Sequence, residues 1–178
     1  MPRDKEILDL AARRRIYAYV TSHPGAYLRE IQRALDAPMG SLEYHLDQLE
    51  KAGLVAIEQD ANKRFFPART SAEDVRLLSL LRREALRRIV SILLETGTCT
   101  HKELVARTSY PPSTVTFHVA KLVEAELVDR ERDGRETRLT LRDPKQIHAL
   151  LVRYQPTFLD RVLDAFLQGF DAMHLDPK

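Results

Sequence analysis

PPSTVTFHVAKLVEAELV, residues 111 to 128, reads as a helix that opens on prolines and closes into a strand. Val115, Val119 and Leu122 fall at i, i+4 and i+7, a single apolar stripe. Ser113, Phe117, Ala120 and Lys121 lie opposite that stripe. A Phe that faces away from its helix's own core needs a partner, either another protein surface or a base edge. The same stretch occurs once before, 73 residues earlier, as PMGSLEYHLDQLEKAGLV from Pro38 to Val55.

The repeat extends beyond these helices. A shift of 73 aligns residues 12–55 with 85–128 without a gap. Identities include Arg14/Arg87, Arg15/Arg88, Ile16/Ile89, Glu30/Glu103, Pro38/Pro111, His45/His118, Leu49/Leu122, Leu54/Leu127 and Val55/Val128. Two copies are too few for a solenoid, so one small domain is read as duplicated in tandem.

Each copy predicts the same order of elements. Residues 4–22 read as a helix with Leu8, Ala12, Ile16 and Tyr19 near one face, ended by His23-Pro24-Gly25. Residues 27–35 make a short second helix, Asp36-Ala37 a turn, and Pro38 starts the third, where a missing N–H does no harm. Gly53 is a stop signal, and LVAIEQ and RFFPA joined by DANK read as a hairpin. In the second copy a basic helical region over 72–95 breaks near Arg82-Arg83, Thr100–Thr108 is the second helix, and 111–125 the third. LVDRER and RETRLTL, joined at Asp133-Gly134, form the second hairpin; Asp-Gly between strand-like runs is a strong hairpin signal. Three helices followed by a hairpin describe a winged helix-turn-helix. The expected fold is therefore mainly α with small β-hairpin wings (α+β): domain 1 over 1–70, domain 2 over 71–142, and a C-terminal helical segment over 143–178.

In that last segment Phe158, Val162, Leu163, Phe166, Leu167 and Phe170 occupy one broad side of a helix opening at Pro156. The stripe is wider than one flat contact needs, which suits packing and dimerisation together.

The bulk numbers narrow the classes. No apolar run in the 178 residues approaches the roughly 20 needed to span a membrane, and the acid-containing N-terminus lacks the apolar region of a signal peptide. A single cysteine excludes an internal disulfide framework and fits a reducing cytoplasm. Net charge is only +2, so nucleic-acid binding would depend on local patches. No Gly-rich phosphate loop, HExxH or GxSxG is present, and the carboxylates follow helical surface spacing, so no enzyme is expected. Cys99-x-His101 gives two close donors, and beyond His118 nothing supplies a third, so neither a metal nor another cofactor is expected.

The units REIQRALDAPMGSLEYHLDQLEKAGLV and KELVARTSYPPSTVTFHVAKLVEAELV resemble ArsR/MarR-like winged-helix transcription regulators. The arrangement of two such units with a C-terminal helix is most similar to archaeal tandem winged-helix regulators. The resemblance covers nearly the whole chain. It implies a homodimeric regulator of double-stranded DNA, with the third helix in the major groove and the wing on the backbone. It names no small-molecule effector.

In domain 2 the hydroxyls of Ser113, Thr114 and Thr116 suit base or phosphate contact, Phe117 a thymine methyl, and Lys121 a phosphate. Arg130, Arg132, Arg135 and Arg138 in the wing suit the backbone, although Asp129, Glu131, Asp133 and Glu136 stand among them. In domain 1 the matching candidates are Ser41, Tyr44 and Gln48, with Lys63 and Arg64 in the wing. There Glu43, Asp47 and Glu50 would repel phosphates, so domain 1 reads equally as a DNA or a protein contact. Arg13–Arg15, Arg82, Arg83, Arg87 and Arg88 read as a solvated face, with backbone contact as the alternative. A protein-interaction module, such as a chromosome-organising partner, and a replication initiator are the competing readings of a tandem winged helix.

Overall fold

The computed structural model describes residues 10–59, 62–133, 136–154, 157 and 158. Residues 4–9 of the first expected helix, Arg135, and most of the helix expected from Pro156, with Val162, Leu163, Phe166, Leu167 and Phe170, lie outside them. By contact the chain divides into two compact units between Ser79 and Leu80.

The first unit runs α1 (Ala11–Ser22), β1 (Ala26–Tyr27), α2 (Leu28–Leu35), α3 (Met39–Lys51), β2 (Val55–Gln59) and β3 (Lys63–Pro67), followed by most of α4 (Ala72–Leu81). The second runs α5 (Glu84–Thr96), β4 (Thr98–Thr100), α6 (His101–Thr108), α7 (Pro112–Glu124), β5 (Val128–Asp133), β6 (Glu136–Leu141) and α8 (Pro144–Arg153). The sheets have the same antiparallel topology, β1-β3-β2 and β4-β6-β5. The chain is thus two winged helix-turn-helix units in tandem, helical for the most part with small sheets.

Backbone geometry repeats with the sequence. Asp36 (φ 48°) and Ser109 (φ 60°) are left-handed residues in the turn ahead of the third helix. Gly53 (φ 71°) and Glu126 (φ 58°) are left-handed just after it. Only the first copy places at the latter site the residue that lacks a Cβ penalty. At the start of α6 the Thr100 hydroxyl accepts from the Glu103 N–H at 3.3 Å, and the Thr100 N–H donates to Glu103 Oε2 at 2.7 Å. This is a capping box, and it holds the Glu103 carboxyl below the usual carboxylate range. Its counterpart in α2 keeps only the second half well defined, from the Tyr27 N–H to Glu30 Oε2 at 3.4 Å.

The strands β1 and β4 were not expected. They are two and three residues long, too short for an alternating pattern, and form by pairing with the wing: Ala26 lies opposite Phe65, and Cys99 opposite Leu139. The division inside α4, after the boundary expected at 70/71, also follows from a wing contact. The Ser79 hydroxyl and carbonyl bind Glu58 and Arg64, tying most of α4 to the first unit. The break expected near 82–83 falls between α4 and α5.

The first core gathers Ile16, Val20, Ala26, Ile31, Leu42, Leu46, Leu49, Val55 and Phe65. Val20 rather than the exposed Ala12 completes the inner side of α1. In the second unit Val115, Val119 and Leu122 are buried as the stripe requires. Its α5 is buried nearly all round, through Leu86, Arg87, Ile89, Val90, Ser91, Ile92, Leu93 and Leu94.

Candidate nucleic-acid interface

Each third helix sits with its apolar stripe inward and its opposite side in solvent. On α7 that side presents Ser113, Thr116, Phe117 and Ala120, all exposed, with Thr114 and Lys121 half-buried. Phe117 is 55% exposed, although a Phe that large is normally covered. The Lys121 ammonium stands 4.4 Å from its ring centroid, a cation–π pair on the open surface. On α3 the corresponding positions hold Ser41, Glu43, Tyr44 and Gln48, and Tyr44 is likewise 55% exposed. Asp47 spends its charge on Lys51 at 2.7 Å, one turn on.

The ring behind each exposed aromatic is the repeated histidine. Tyr44 meets His45 edge-on at 5.3 Å, and Phe117 meets His118 at 5.3 Å with almost the same interplanar angle. In both histidines Nδ1 is buried without a hydrogen-bond partner. Each imidazole thus buttresses the aromatic, a packing role shared by the copies. At His118 desolvation, and then the Lys121 and Arg83 charges, hold the ring below its ordinary pKa.

Thr116 is less available than its exposure suggests. Its hydroxyl donates to the Pro112 carbonyl at 2.9 Å, and His101 Nε2 lies 2.9 Å away on the first turn of α6. The hydroxyl therefore pins the helix start to the preceding helix. Sequence reading missed this because residues 101 and 116 meet only through the turn.

The wings differ more than their sequences suggest. The strand register places Arg64 opposite both Tyr27 and Glu58, and Arg138 opposite both Thr100 and Glu131. Arg64 and Arg138 are therefore counterparts, and so are Glu58 and Glu131. Arg64 is only 5% exposed. Its Nε donates to the Tyr27 hydroxyl at 3.2 Å, and one terminal nitrogen donates to the Ser79 carbonyl at 3.3 Å and to Glu58 Oε2 at 3.5 Å. The expectation that Arg64 meets phosphate is corrected: it is the inner tie between wing and α4. A run read as a polar wing gave no signal of this, because Tyr27 and Ser79 are distant in sequence. Arg138 is exposed, and Lys63 beside Arg64 is exposed as well.

In the second wing Arg130 and Arg132 share one sheet face with the buried Val128, and Glu131 shares the other with Arg138. Both arginines are exposed where the face outruns the core. Asp129 is engaged by Arg142 at 2.8 Å, which depresses its pKa. One acid expected to neutralise the wing arginines is thus held by a residue at its base.

Two further expectations change. Arg87, read as a solvated face, is 6% exposed; it donates to the Leu81 carbonyl at 2.7 Å and stands over the Phe158 ring at 5.3 Å. Phe158 is itself 3% exposed, so this member of the expected dimer stripe is spent on its own chain. Arg88 packs over Tyr110 at 5.8 Å. Cys99 is 2% exposed, and burial pushes its thiol up to about 11, which makes it an inert packed residue. Among the described residues no helix is long and apolar enough to cross a membrane.

Two winged helix-turn-helix units, each with an exposed third helix, define the class of this chain. Residues 10–78 match a family described as an N-terminal HTH domain, and residues 74–129 match the winged helix-turn-helix DNA-binding family. Over 133 residues the chain is 30% identical to an uncharacterized HTH-type transcriptional regulator of Methanocaldococcus jannaschii. That match takes in 74% of this chain but 33% of the relative, so the chain spans about a third of the relative's length. Reduced HlyU from Vibrio cholerae is similar at 19% identity and a TM-score of 0.38, over 59% of this chain and 92% of that one. A chain of the endosomal complex ESCRT-II (VPS22/VPS25/VPS36) gives 16% identity and a TM-score of 0.30, over 82% and 65%. Both likenesses are too slight to bear on function.

Proposed function

We propose that the chain is a sequence-specific transcription regulator that binds double-stranded DNA mainly through domain 2. Ser113, Thr114, Phe117 and Lys121 enter the major groove, and Arg130, Arg132, Arg135 and Arg138 track the backbone. The observation that carries this reading is the surface of α7: residues 112–123 contain no acid, and an exposed Phe117 is capped by Lys121 at 4.4 Å. An apolar ring beside a cation matches the neighbouring thymine methyl and phosphate of a groove wall. The protein acts in the cytoplasm as a homodimer through the apolar C-terminal stretch of the sequence that follows Pro156, so that paired readers lie about one helical turn, ~34 Å, apart.

Gel-shift titration with genomic fragments, repeated over a range of salt, tests the assignment. Lys121→Ala and Arg132→Ala should each weaken binding on every sequence and flatten the salt dependence. Unchanged affinity and slope in both variants would sink it.

A second reading concerns domain 1 alone. Glu43 and Glu50 leave α3 with exposed acids around Tyr44, a surface better suited to protein than to phosphate. Domain 1 then serves as a protein-contact unit while domain 2 holds DNA.

A further inference from the structure

The first unit holds a cleft of about 610 Å³ between the start of α2 and the start of β3, lined by Tyr27, Leu28, Arg29, Glu30, Arg33, Asn62 and Lys63. Its volume lies in the range of small-molecule sites. Arg29, Arg33 and Lys63 are exposed cations along it. Among the described residues that line it, the acid Glu30 is already engaged: it accepts the Tyr27 N–H and the Tyr19 hydroxyl. Tyr27 and Leu28 supply an apolar wall, and Asn62 a neutral donor and acceptor.

The second unit shows which of these residues the fold requires. By the repeat and the strand register, Arg33 corresponds to Ala106, Lys63 to Thr137 and Leu28 to His101. The same helix and wing therefore form without two of the three cations or the apolar wall. A set of charges that one copy keeps and the other folds without is not a folding requirement.

A duplex backbone is a poor occupant of such a cleft. DNA presents a convex row of phosphates to protruding side chains, and an apolar wall does nothing for a phosphate oxygen. A compact molecule with a flat apolar body and one anionic group uses both halves of the lining. We propose that this cleft is a binding site for a small organic anion, with a carboxylate or phosphate held by Arg29, Arg33 and Lys63 and an apolar ring laid against Tyr27 and Leu28. This goes beyond the DNA reading of domain 2 and does not depend on it.

The test is calorimetric titration of the full chain with salicylate and with adenosine monophosphate, which separate carboxylate from phosphate, and with neutral salicylamide. Arg33→Ala and Lys63→Thr install the second unit's own residues, so the variants keep a side chain already compatible with the fold. At least one anion should bind at one site per chain, salicylamide should bind about tenfold more weakly, and each variant should lose about tenfold in affinity. Failure of both anions to bind overturns the proposal, as does binding that ignores both substitutions or the loss of charge. Displacement of the anion by random-sequence duplex, with a flattened salt slope for DNA in the two variants, also overturns it and assigns the cleft to the backbone.

Discussion

The two winged units are copies in backbone and near-opposites at the surface. Across the repeat, Glu43 stands where the second copy has Thr116, Asp47 where it has Ala120, and Gln48 where it has Lys121. The aromatic stays at the same point, Tyr44 and Phe117, equally exposed and equally backed by a histidine. Duplication has thus preserved what shapes the helix and let its charge diverge. The arginines reverse the pattern. The wing arginine is buried in the first copy and exposed in the second, whereas the first-helix arginine is exposed at Arg14 and buried at Arg87. Residue type alone therefore says little about which arginines reach the surface.

The sharpest break in that comparison is stability. Arg64→Ala removes a buried guanidinium from Tyr27, Glu58 and Ser79 and should cost about 3 kcal/mol. Arg138→Ala, at the matching but exposed position, should cost under about 1 kcal/mol. Urea unfolding midpoints of the two variants check this, and equal losses would show that the wings are built alike.

Exchange of the helix surfaces comes next. Thr116→Glu with Ala120→Asp gives α7 the acids of α3 and should weaken DNA binding by about 100-fold, since two carboxylates would face phosphates. The reverse exchange, Glu43→Thr with Asp47→Ala, should leave affinity within about twofold if domain 1 stays off the duplex. A gain of tenfold or more in the gel shift would place domain 1 on DNA and end the proposed division of labour.

The fold was legible where its causes are local. The apolar stripes, the prolines before each third helix, Gly53 and the Asp-Gly hairpin signal are short-range features, and each marks an element the structure contains. The short strands β1 and β4 were not legible, because only their partners make them strands. In the candidate site the outward Phe117 and Tyr44 were readable from helical spacing. The fates of Arg64, Arg87 and Thr116 were not, since each is set by a partner that the chain brings back from elsewhere. Charge can be read from a sequence, but availability depends on tertiary neighbours.

A smaller effect is expected where the copies share a backbone but not a residue. Glu126 adopts φ 58° where the first copy has Gly53 at φ 71°. Its carboxylate gains only a surface contact with Arg142 at 3.7 Å, and Arg142 is held more closely by Asp129. Glu126→Gly should stabilise the second unit by about 0.5–1 kcal/mol, the relief of left-handed strain less the added chain entropy. Gly53→Ala should act in the opposite direction, since the site is open in space but closed in φ. A drop in thermal midpoint for Glu126→Gly would mean that the Arg142 contact outweighs the strain.

The smallest expected effect is a pH dependence in the second copy. His118 is held below its ordinary pKa by desolvation first, then by Lys121 and Arg83. Its Nδ1 has no partner to reward protonation, and its ring lies against Phe117. The unfolded chain therefore takes up the proton at a higher pH than the folded one. Above about 6.5, the ordinary histidine value, both states are neutral and the group has no effect on the balance. As pH falls below that value the unfolded state binds more protons, so stability declines until the folded ring titrates too. The thermal midpoint should accordingly fall as pH drops from about 7.5 to 5.5, and His118→Gln should flatten that fall whatever it does to the midpoint itself. An equal fall in the variant would assign the dependence to other groups and leave His118 as packing alone, the role it shares with His45.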